Sequence, residues 1–179
     1  ALQTLAFDLL SRPTTLPATR QLQMLATLAQ ATGSLGMAGG QAIDLAHVGK
    51  NMQQTELEHM HSLKTGALIR AAVALGALAC PNLDSTALQH LDHYAQKLGL
   101  AFQVMDDVLD YEADTATLGK TAGKDANNNK PNFVALMGAE EARHYAEQLI
   151  AEAIAQLAPF GDQAQPLRQL AEFVTARKH

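Results

Sequence analysis

The sequence contains no tryptophan and a single cysteine, and aromatic residues make up only 4% of its 179 residues. Because Cys80 stands alone, no disulfide can form within the chain, and we expect a reducing, cytoplasmic environment. Basic residues are not in excess. The formal net charge is −5, which argues against a nucleic-acid-binding surface. No apolar run reaches the length of a membrane span, so we expect no stable membrane insertion.

The apolar residues, many of them alanine and leucine, recur at helical spacing along most of the chain, and no segment has a convincing strand pattern. We predict helices over about residues 18–33, 55–79, 85–112, 133–158 (with a possible break at Gly138) and 165–176. Thr55 with Glu58, and Ser85, are the expected N-terminal caps. In the helix over 18–33, the residues expected to face inward are Leu22, Leu25, Ala26 and Leu28. The fold class is therefore all-α, a single helical bundle.

Three aspartates stand on a helix that also carries buried-type residues, in the sequence FQVMDDVLD. Asp106 and Asp110 are four residues apart, so they share one helix face, and Asp107 flanks the same stripe. Like charges at this spacing repel one another, whereas a divalent cation would reverse the sign of that interaction. Carboxylate oxygens suit Mg²⁺, which commonly takes only one or two protein carboxylates together with substrate phosphates. The alternative interpretation is a solvated acidic patch.

Lysines follow the aspartates on a long polar loop, in the sequence GKTAGKDANNNK. Lys120 and Lys130 lie on this loop, and Gly119 and Gly123 are interleaved with its basic residues. Glycine lets backbone approach a ligand, and lysine is a point charge suited to phosphate. Carboxylates that hold Mg²⁺ beside such lysines would form a site for a diphosphate. A solvated basic loop is the alternative.

Two further segments carry polar residues among small and apolar ones. In KTGALIRAAV, Lys64 directly precedes an apolar helix, whereas Arg70 faces elsewhere and is interpreted as structural. In GGQAIDL, Gln41 and Asp44 are three residues apart and can face one cavity. Considered one at a time, each of these residues also fits a core hydrogen bond or an ion pair.

In their order and spacing, the segments GGQAIDL, KTGALIRAAV, GLAFQVMDDVLD and GKTAGKDANNNK together resemble the trans-prenyltransferase family, in particular its bacterial farnesyl diphosphate synthases. The resemblance covers essentially the whole chain, and FQVMDDVLD resembles the second aspartate-rich motif of the family. It implies an isoprenoid-synthase-type helical bundle. It also implies that Asp106 binds Mg²⁺ directly, with Asp107 and Asp110 bound to it largely through water.

The same resemblance implies the residues that hold substrate. Lys64 and Lys120 would hold the allylic diphosphate and act in catalysis with Asp106. The other substrate-binding positions implied are Gln41, Thr65, Gln103, Lys130 and Arg177. Arg177 belongs to the terminal ARKH, which resembles the basic tail that closes over the second diphosphate in this family. After Lys130 the sequence PNFV departs from the Ser/Thr-Thr-Tyr-Pro that the family usually has at this place.

The activity implied is Mg²⁺-dependent prenyl transfer, in which isopentenyl diphosphate condenses with dimethylallyl or geranyl diphosphate to give farnesyl diphosphate. No catalytic histidine is required, and we expect His59 and His61, two residues apart on a helix, to be solvated. The first aspartate-rich motif of the family is absent. We therefore expect residues 1–179 to be the C-terminal part of a single polyprenyl synthase domain, lacking its N-terminal helices and inactive alone.

The chain opens on ALQTLAF without methionine or a capping residue, which is consistent with a start inside a helix. Two alternatives to a farnesyl diphosphate synthase stay open. One is a synthase of longer products, such as geranylgeranyl diphosphate, and the other is a non-catalytic fragment or subunit. We also expect a homodimer, because ALIRAAVALGALAC is apolar on nearly all sides and must be buried on most of them.

Overall fold

The computed structural model describes residues 1–80, 82–118 and 131–177, with side chains described only up to residue 113 in the second range. These residues form helices and contain no strand, as the apolar periodicity predicts. The α-helices are α1 (Leu2–Ser11), α2 (Ala18–Thr32), α3 (Met37–Ala46), α4 (Gln54–His61), α5 (Ala67–Ala79), α6 (Ser85–Leu118), α7 (Phe133–Met137), α8 (Ala139–Gln156) and α9 (Gln165–Ala176). A π-helical turn, Ser62–Gly66, joins α4 to α5, and a 3₁₀ segment, Ala158–Ala164, precedes α9.

The core is built around one face of the long helix α6. The fully or almost fully buried residues of this face are Tyr94, Ala95, Leu98, Ala101, Val104, Met105 and Val108. Helix α8 packs against them with Ala142, Ala146, Leu149, Ile150 and Ala153, and α9 adds Ala171 and Val174. Each fully buried valine, leucine, isoleucine or methionine side chain of this set contributes about 1.5–3 kcal/mol of transfer free energy. The same helix carries the aspartates, so the packing of its apolar face also fixes the direction of its polar face.

The break at Gly138 is as predicted, but α6 continues to Leu118, past its predicted end at about residue 112, and the predicted caps differ. Gly138 separates α7 from α8 and has a φ of 89°, a conformation that glycine adopts without strain. Helix α6 begins at Ser85, but the side chain that caps it is Asp84, whose Oδ1 accepts a hydrogen bond from the Ala87 amide at 2.7 Å. At the start of α4 the capping box joins Gln53 to Glu56 rather than Thr55 to Glu58. These shifts of one or two residues are typical of helix boundaries.

Small residues bring α3 close to the π-helical turn. A Cβ atom added to Gly40 would lie 2.2 Å from the backbone nitrogen of Lys64, so only glycine fits between the two segments. Gly99 of α6 approaches the same turn, since its added Cβ would lie 3.0 Å from the Cα atom of Gly66. Gly40 and Gly99 therefore allow α3 and α6 to pack closely against the turn that carries Lys64, and this packing sets the position of that lysine.

Several apolar faces are exposed in the single chain. Helix α1 buries none of its residues, and of the 13 residues of α5 only Ala71 and Ala77 are buried. Leu22 of α2, predicted to face inward, is 66% exposed, because the buried side of α2 passes through Met24 and Leu28 instead.

Within the described residues, the stretch Gln54–Ala79 is the one helical run long and apolar enough to cross a membrane. A core helix meets the same criterion, so this property alone assigns no location.

Replacing Gly40 with alanine tests the contact between α3 and the π-helical turn. The added methyl group would overlap the Lys64 backbone, so one of the two segments must move. We expect the free energy of unfolding to fall by about 1–3 kcal/mol, the usual effect of overpacking. Urea denaturation measures this change.

Gly76→Ala is the matched control for that substitution. Gly76 lies inside α5 with no atom within 4 Å of an added Cβ. Alanine favours helix over glycine by up to about 1 kcal/mol, so this variant should be as stable as the parent chain or more so. Similar losses of stability in both variants would contradict a specific close contact at Gly40.

Candidate active site

Asp106 lies on the polar side of α6 and is held by a residue from the far end of the chain. Its Oδ1 accepts a short charge-assisted hydrogen bond from a terminal nitrogen of Arg177. The same nitrogen donates to the backbone oxygen of Phe102 at 2.9 Å, and the guanidinium carbon lies 4.1 Å from the centre of the Phe102 ring. Burial raises the pKa of Asp106, while the Arg177 charge acts in the opposite direction. The positive charge of Arg177 therefore faces the carboxylate that the sequence predicts to bind metal.

Asp107 points to the other side and connects three elements. Its Oδ2 accepts a hydrogen bond from the Phe133 backbone amide at 2.8 Å, and its Oδ1 accepts one from the side-chain amide of Gln103 at 3.2 Å. Gln103 in turn accepts a hydrogen bond from the Thr65 hydroxyl at 3.1 Å. Burial raises the pKa of Asp107 to about 6, and its hydrogen bonds from Phe133 and Gln103 partly offset that effect. The water-mediated contact of Asp107 with a metal stays a prediction. The hydrogen bond that anchors the Phe133 backbone to Asp107 was not indicated by the sequence.

The sequence after Lys130, which departs from the family pattern, forms a well-capped start of α7. The Asn132 side chain accepts a hydrogen bond from the Ala135 amide at 2.7 Å. The next residue, Phe133, is fully buried and ties the backbone to Asp107. The cap and the buried ring give this segment a defined connection to α6.

Lys64 lies on the π-helical turn and is paired with a buried acid from α3. Its Nζ atom is 2.7 Å from Asp44 Oδ2, and the exposed fractions of the two side chains are 31% and 5%. Breaking such a pair by removing one partner leaves a buried charge, which is strongly destabilising. Asp44 therefore fixes the lysine, and the partial exposure of Lys64 leaves its ammonium group access to a further anion. Single-turn π segments of this kind occur frequently at functional sites.

Two of the remaining predicted site residues, Asp110 and Gln41, have exposed side chains. Asp110 is exposed on the same face as Asp106, as the spacing predicts. Gln41 is exposed on α3, one residue after Gly40. Lys120 and Lys130 lie outside the described residues, so their roles stay predictions.

Arg70, interpreted from the sequence as structural, makes a two-pronged ion pair with Asp92, with nitrogen–oxygen distances of 2.9 and 2.8 Å. Both side chains are exposed in the single chain. The pair lies between α5 and α6, which supports the structural interpretation.

His61 is buried, so the prediction that it is solvated is wrong, whereas His59 is exposed as expected. Leu57, Met60 and His61 are spaced three and four residues apart, which places them on one buried face of α4. That spacing was the missed signal. Neither ring nitrogen has a hydrogen-bond partner among the described residues, and the ring centre lies 5.7 Å from that of Phe133. Burial, helped by the Lys64 charge, lowers the pKa of His61 to about 4, so the ring is neutral.

The carboxylates of this site suit Mg²⁺ in a particular way. Within the described ranges, no three histidine, cysteine or acidic side chains cluster as metal ligands. Mg²⁺ commonly takes one or two protein carboxylates and completes its shell with water and substrate phosphates. Asp106, already facing a cation, and Asp110 one turn further match that donor set. The arrangement therefore fits a metal that takes one or two of these carboxylates and completes its shell with water and substrate phosphates.

An all-α bundle with aspartates on one helix face and an anchored lysine nearby defines a candidate site for a metal and an anion. The Polyprenyl synthetase family model matches residues 1–169, and the chain belongs to that family. It is 46% identical over 183 residues to a farnesyl diphosphate synthase of Escherichia coli (strain K12), covering 99% of this chain and 61% of that relative.

Solved structures give the same result for the fold. A putative farnesyl-diphosphate synthase from Marinomonas sp. MED121 matches with a TM-score of 0.82 and 40% identity, over 97% of this chain and 59% of the other. A Helicobacter pylori geranyltransferase complexed with magnesium and isoprenyl diphosphate matches with a TM-score of 0.76 and 31% identity, over 97% and 56%. The chain thus spans about three-fifths of the length of these proteins.

The buried neutral His61 predicts a specific dependence of stability on pH. In the unfolded chain the imidazole takes up a proton below about pH 6.5, whereas in the folded protein it stays neutral down to about pH 4. Protons therefore favour unfolding, so this contribution to stability is present above pH 6.5 and is lost as the pH falls toward 4. Since each pH unit in that window corresponds to about 1.4 kcal/mol, the total is on the order of 3 kcal/mol.

Urea denaturation between pH 7.5 and 4 compares the parent chain with His61→Met and His59→Met. We expect the pH dependence to be flatter in His61→Met and unchanged in His59→Met, because His59 is exposed. The interpretation fails if His61→Met loses as much stability toward pH 4 as the parent chain.

Proposed function

We propose that an intact protein carrying this chain catalyses Mg²⁺-dependent condensation of isopentenyl diphosphate with an allylic diphosphate to give farnesyl diphosphate. The observation that carries this proposal is the ion pair between Arg177 and Asp106 on the polar face of α6. The match of the chain to the Polyprenyl synthetase family supports it. The 46% identity to a farnesyl diphosphate synthase supports the choice of reaction.

In this proposal Asp106 binds the metal directly, and Asp110 contributes through water on the same helix face. The metal, when bound, supplies Lewis-acid stabilisation of the leaving diphosphate. Lys64, Lys120, Lys130 and Arg177 provide positive charge for the diphosphate groups, a role of electrostatic stabilisation that increases as negative charge develops. Gln41 stays a pocket residue by prediction.

Thr65 and Gln103 have a supporting role in the same proposal. They hold each other and Asp107 by hydrogen bonds, which fixes the π-helical turn against α6. The Asp44 carboxylate keeps Lys64 in one orientation. A preformed arrangement of this kind avoids reorganisation when charge shifts to the diphosphate.

Two alternatives are distinguished by product analysis of an intact protein that carries this chain. A main product of 20 carbons would indicate a geranylgeranyl diphosphate synthase and leave the reaction type standing. No product at all, with the chain folded, would indicate a non-catalytic fragment or subunit. A cytoplasmic location stays part of the proposal, and the unpaired, exposed Cys80 is consistent with it.

Asp106→Ala should reduce turnover of that intact enzyme by on the order of 10²–10³, the usual effect of losing one donor in an electrostatic site. The effect should fall on turnover more than on substrate affinity, because the charge on the diphosphate is larger in the transition state. Steady-state kinetics at several Mg²⁺ concentrations measure it, and thermal melts confirm folding. Asp162→Ala, an exposed aspartate in the 3₁₀ segment, is the control and should retain full turnover. Near-normal turnover of Asp106→Ala would indicate that the aspartates form only a solvated acidic patch.

We further propose that two copies of the chain associate through α5. Only Ala71 and Ala77 of this apolar helix are buried in the single chain. Ala72, Gly76 and Ala79 lie exposed along one side of this helix. A contiguous exposed apolar face typically marks an interface.

Light scattering should give twice the chain mass at micromolar concentration. Ala72→Glu, which places a charge on the exposed side of α5, should shift the protein toward monomer. Ala151→Glu, the same change on the exposed side of α8, should leave the dimer intact. A monomer mass for the parent chain would contradict association through α5.

A further inference from the structure

Arg177 faces the carboxylate that is proposed to bind the metal cation. Its terminal nitrogen donates to both Asp106 and the Phe102 backbone oxygen, and its guanidinium group lies on the Phe102 ring. Only 11% of the Arg177 side chain is exposed. The Asp106 side chain is 35% exposed, so the pair is partly shielded from water and interacts more strongly than a fully solvated surface pair.

The contact is well placed but incomplete. Arg177 follows α9, whose buried residues Ala171 and Val174 fix the helix on the core. Arginine binds carboxylates most strongly through two parallel hydrogen bonds, but here a single nitrogen makes the contact. The Nε atom of Arg177 is buried without an acceptor among the described residues. A buried donor left unpaired is unfavourable, so this arrangement holds the carboxylate without using all of the guanidinium group.

We propose that Arg177 is a positioning residue that holds the Asp106 carboxylate while no metal is bound, and that a divalent cation must displace it to bind Asp106. This inference rests on the proposed role of Asp106 as a metal ligand. A metal cation on this carboxylate would lie close to the guanidinium charge, and the repulsion between the two positive charges sets metal binding against the Arg177 contact. Displacement frees the guanidinium group, including its unpaired Nε–H, for a new anionic partner. Metal binding at α6 is thereby coupled to the position of Arg177.

Binding of Mn²⁺ alone, without diphosphate, isolates the competition from any contact between Arg177 and substrate. Electron paramagnetic resonance measures free Mn²⁺ in titrations of the protein. We expect Arg177→Gln to bind Mn²⁺ roughly tenfold more tightly than the parent chain, because the competing cation is gone. Arg177→Lys should also bind more tightly than the parent, since lysine keeps the charge but cannot make both contacts and stack on Phe102.

Arg168→Gln is the matched control. Arg168 lies on α9, the helix that Arg177 follows, and has the same charge, but it donates to the backbone oxygens of Gly161 and Leu157 rather than to a carboxylate. Its Mn²⁺ affinity should equal that of the parent chain. An equal gain in Arg168→Gln and Arg177→Gln would reduce the effect to net charge and overturn the proposal.

A second readout follows the arginine itself. In protein labelled with ¹⁵N-arginine, the Nε–H signal of Arg177, assigned by its loss in Arg177→Lys, should shift when Mg²⁺ is added, while that of Arg168 should not. A merely structural ion pair would leave the Arg177 signal in place.

Asp106→Asn distinguishes a failure of the metal site from a failure of the competition between Arg177 and the metal. If Asp106→Asn binds Mn²⁺ as the parent chain does, Asp106 is not a metal ligand, and both the proposed site and the displacement fail. If Asp106→Asn loses Mn²⁺ binding while Arg177→Gln binds like the parent, the metal site stands and the competition alone is overturned.

Discussion

The packing of α6 against α8 and α9 is the constraint on which the rest of the structure depends. One face of this helix is buried from Tyr94 to Val108, so its rotation about its own axis is fixed. Asp106 and Asp110 then have to lie on the opposite, polar face. The Tyr94 hydroxyl also donates to the Leu167 backbone oxygen at 2.8 Å, which holds the start of α9. Burial of apolar side chains thereby sets the positions of both the aspartates and the helix that ends at Arg177.

The polar contacts around this core divide into two kinds. Asp44 and Asp107 each hold another element in place: Asp44 fixes Lys64, and Asp107 fixes the start of α7 through Phe133. Asp106 instead faces a cation that can be exchanged. Adjacent residues on one helix thus differ in role because successive positions on a helix point about 100° apart, one toward α7 and the other toward the C-terminal end of α9.

The exposed apolar residues complement this arrangement. Helices α6 and α8 contribute the largest sets of buried apolar residues, whereas α1 and α5 present apolar surface outward. The described part of the chain therefore contains a complete core on the side of the candidate site and an uncovered surface on the side of α5. This is consistent with a chain spanning about three-fifths of the length of the relatives it matches.

The sequence by itself determined the helical class, the break at Gly138, the last helix and the shared face of Asp106 and Asp110, because these depend on periodicity and on backbone preferences within a few residues. It also carried the family resemblance. Only the tertiary structure decided the partners: Arg177 is 71 residues from Asp106, Phe133 is 26 from Asp107, and Lys64 is 20 from Asp44. Local pattern contains no information on which distant residue meets which. For the same reason the exposure of Leu22 was missed, since it depends on the neighbour that packs against α2, whereas the burial of His61 could have been predicted from its spacing with Leu57 and Met60.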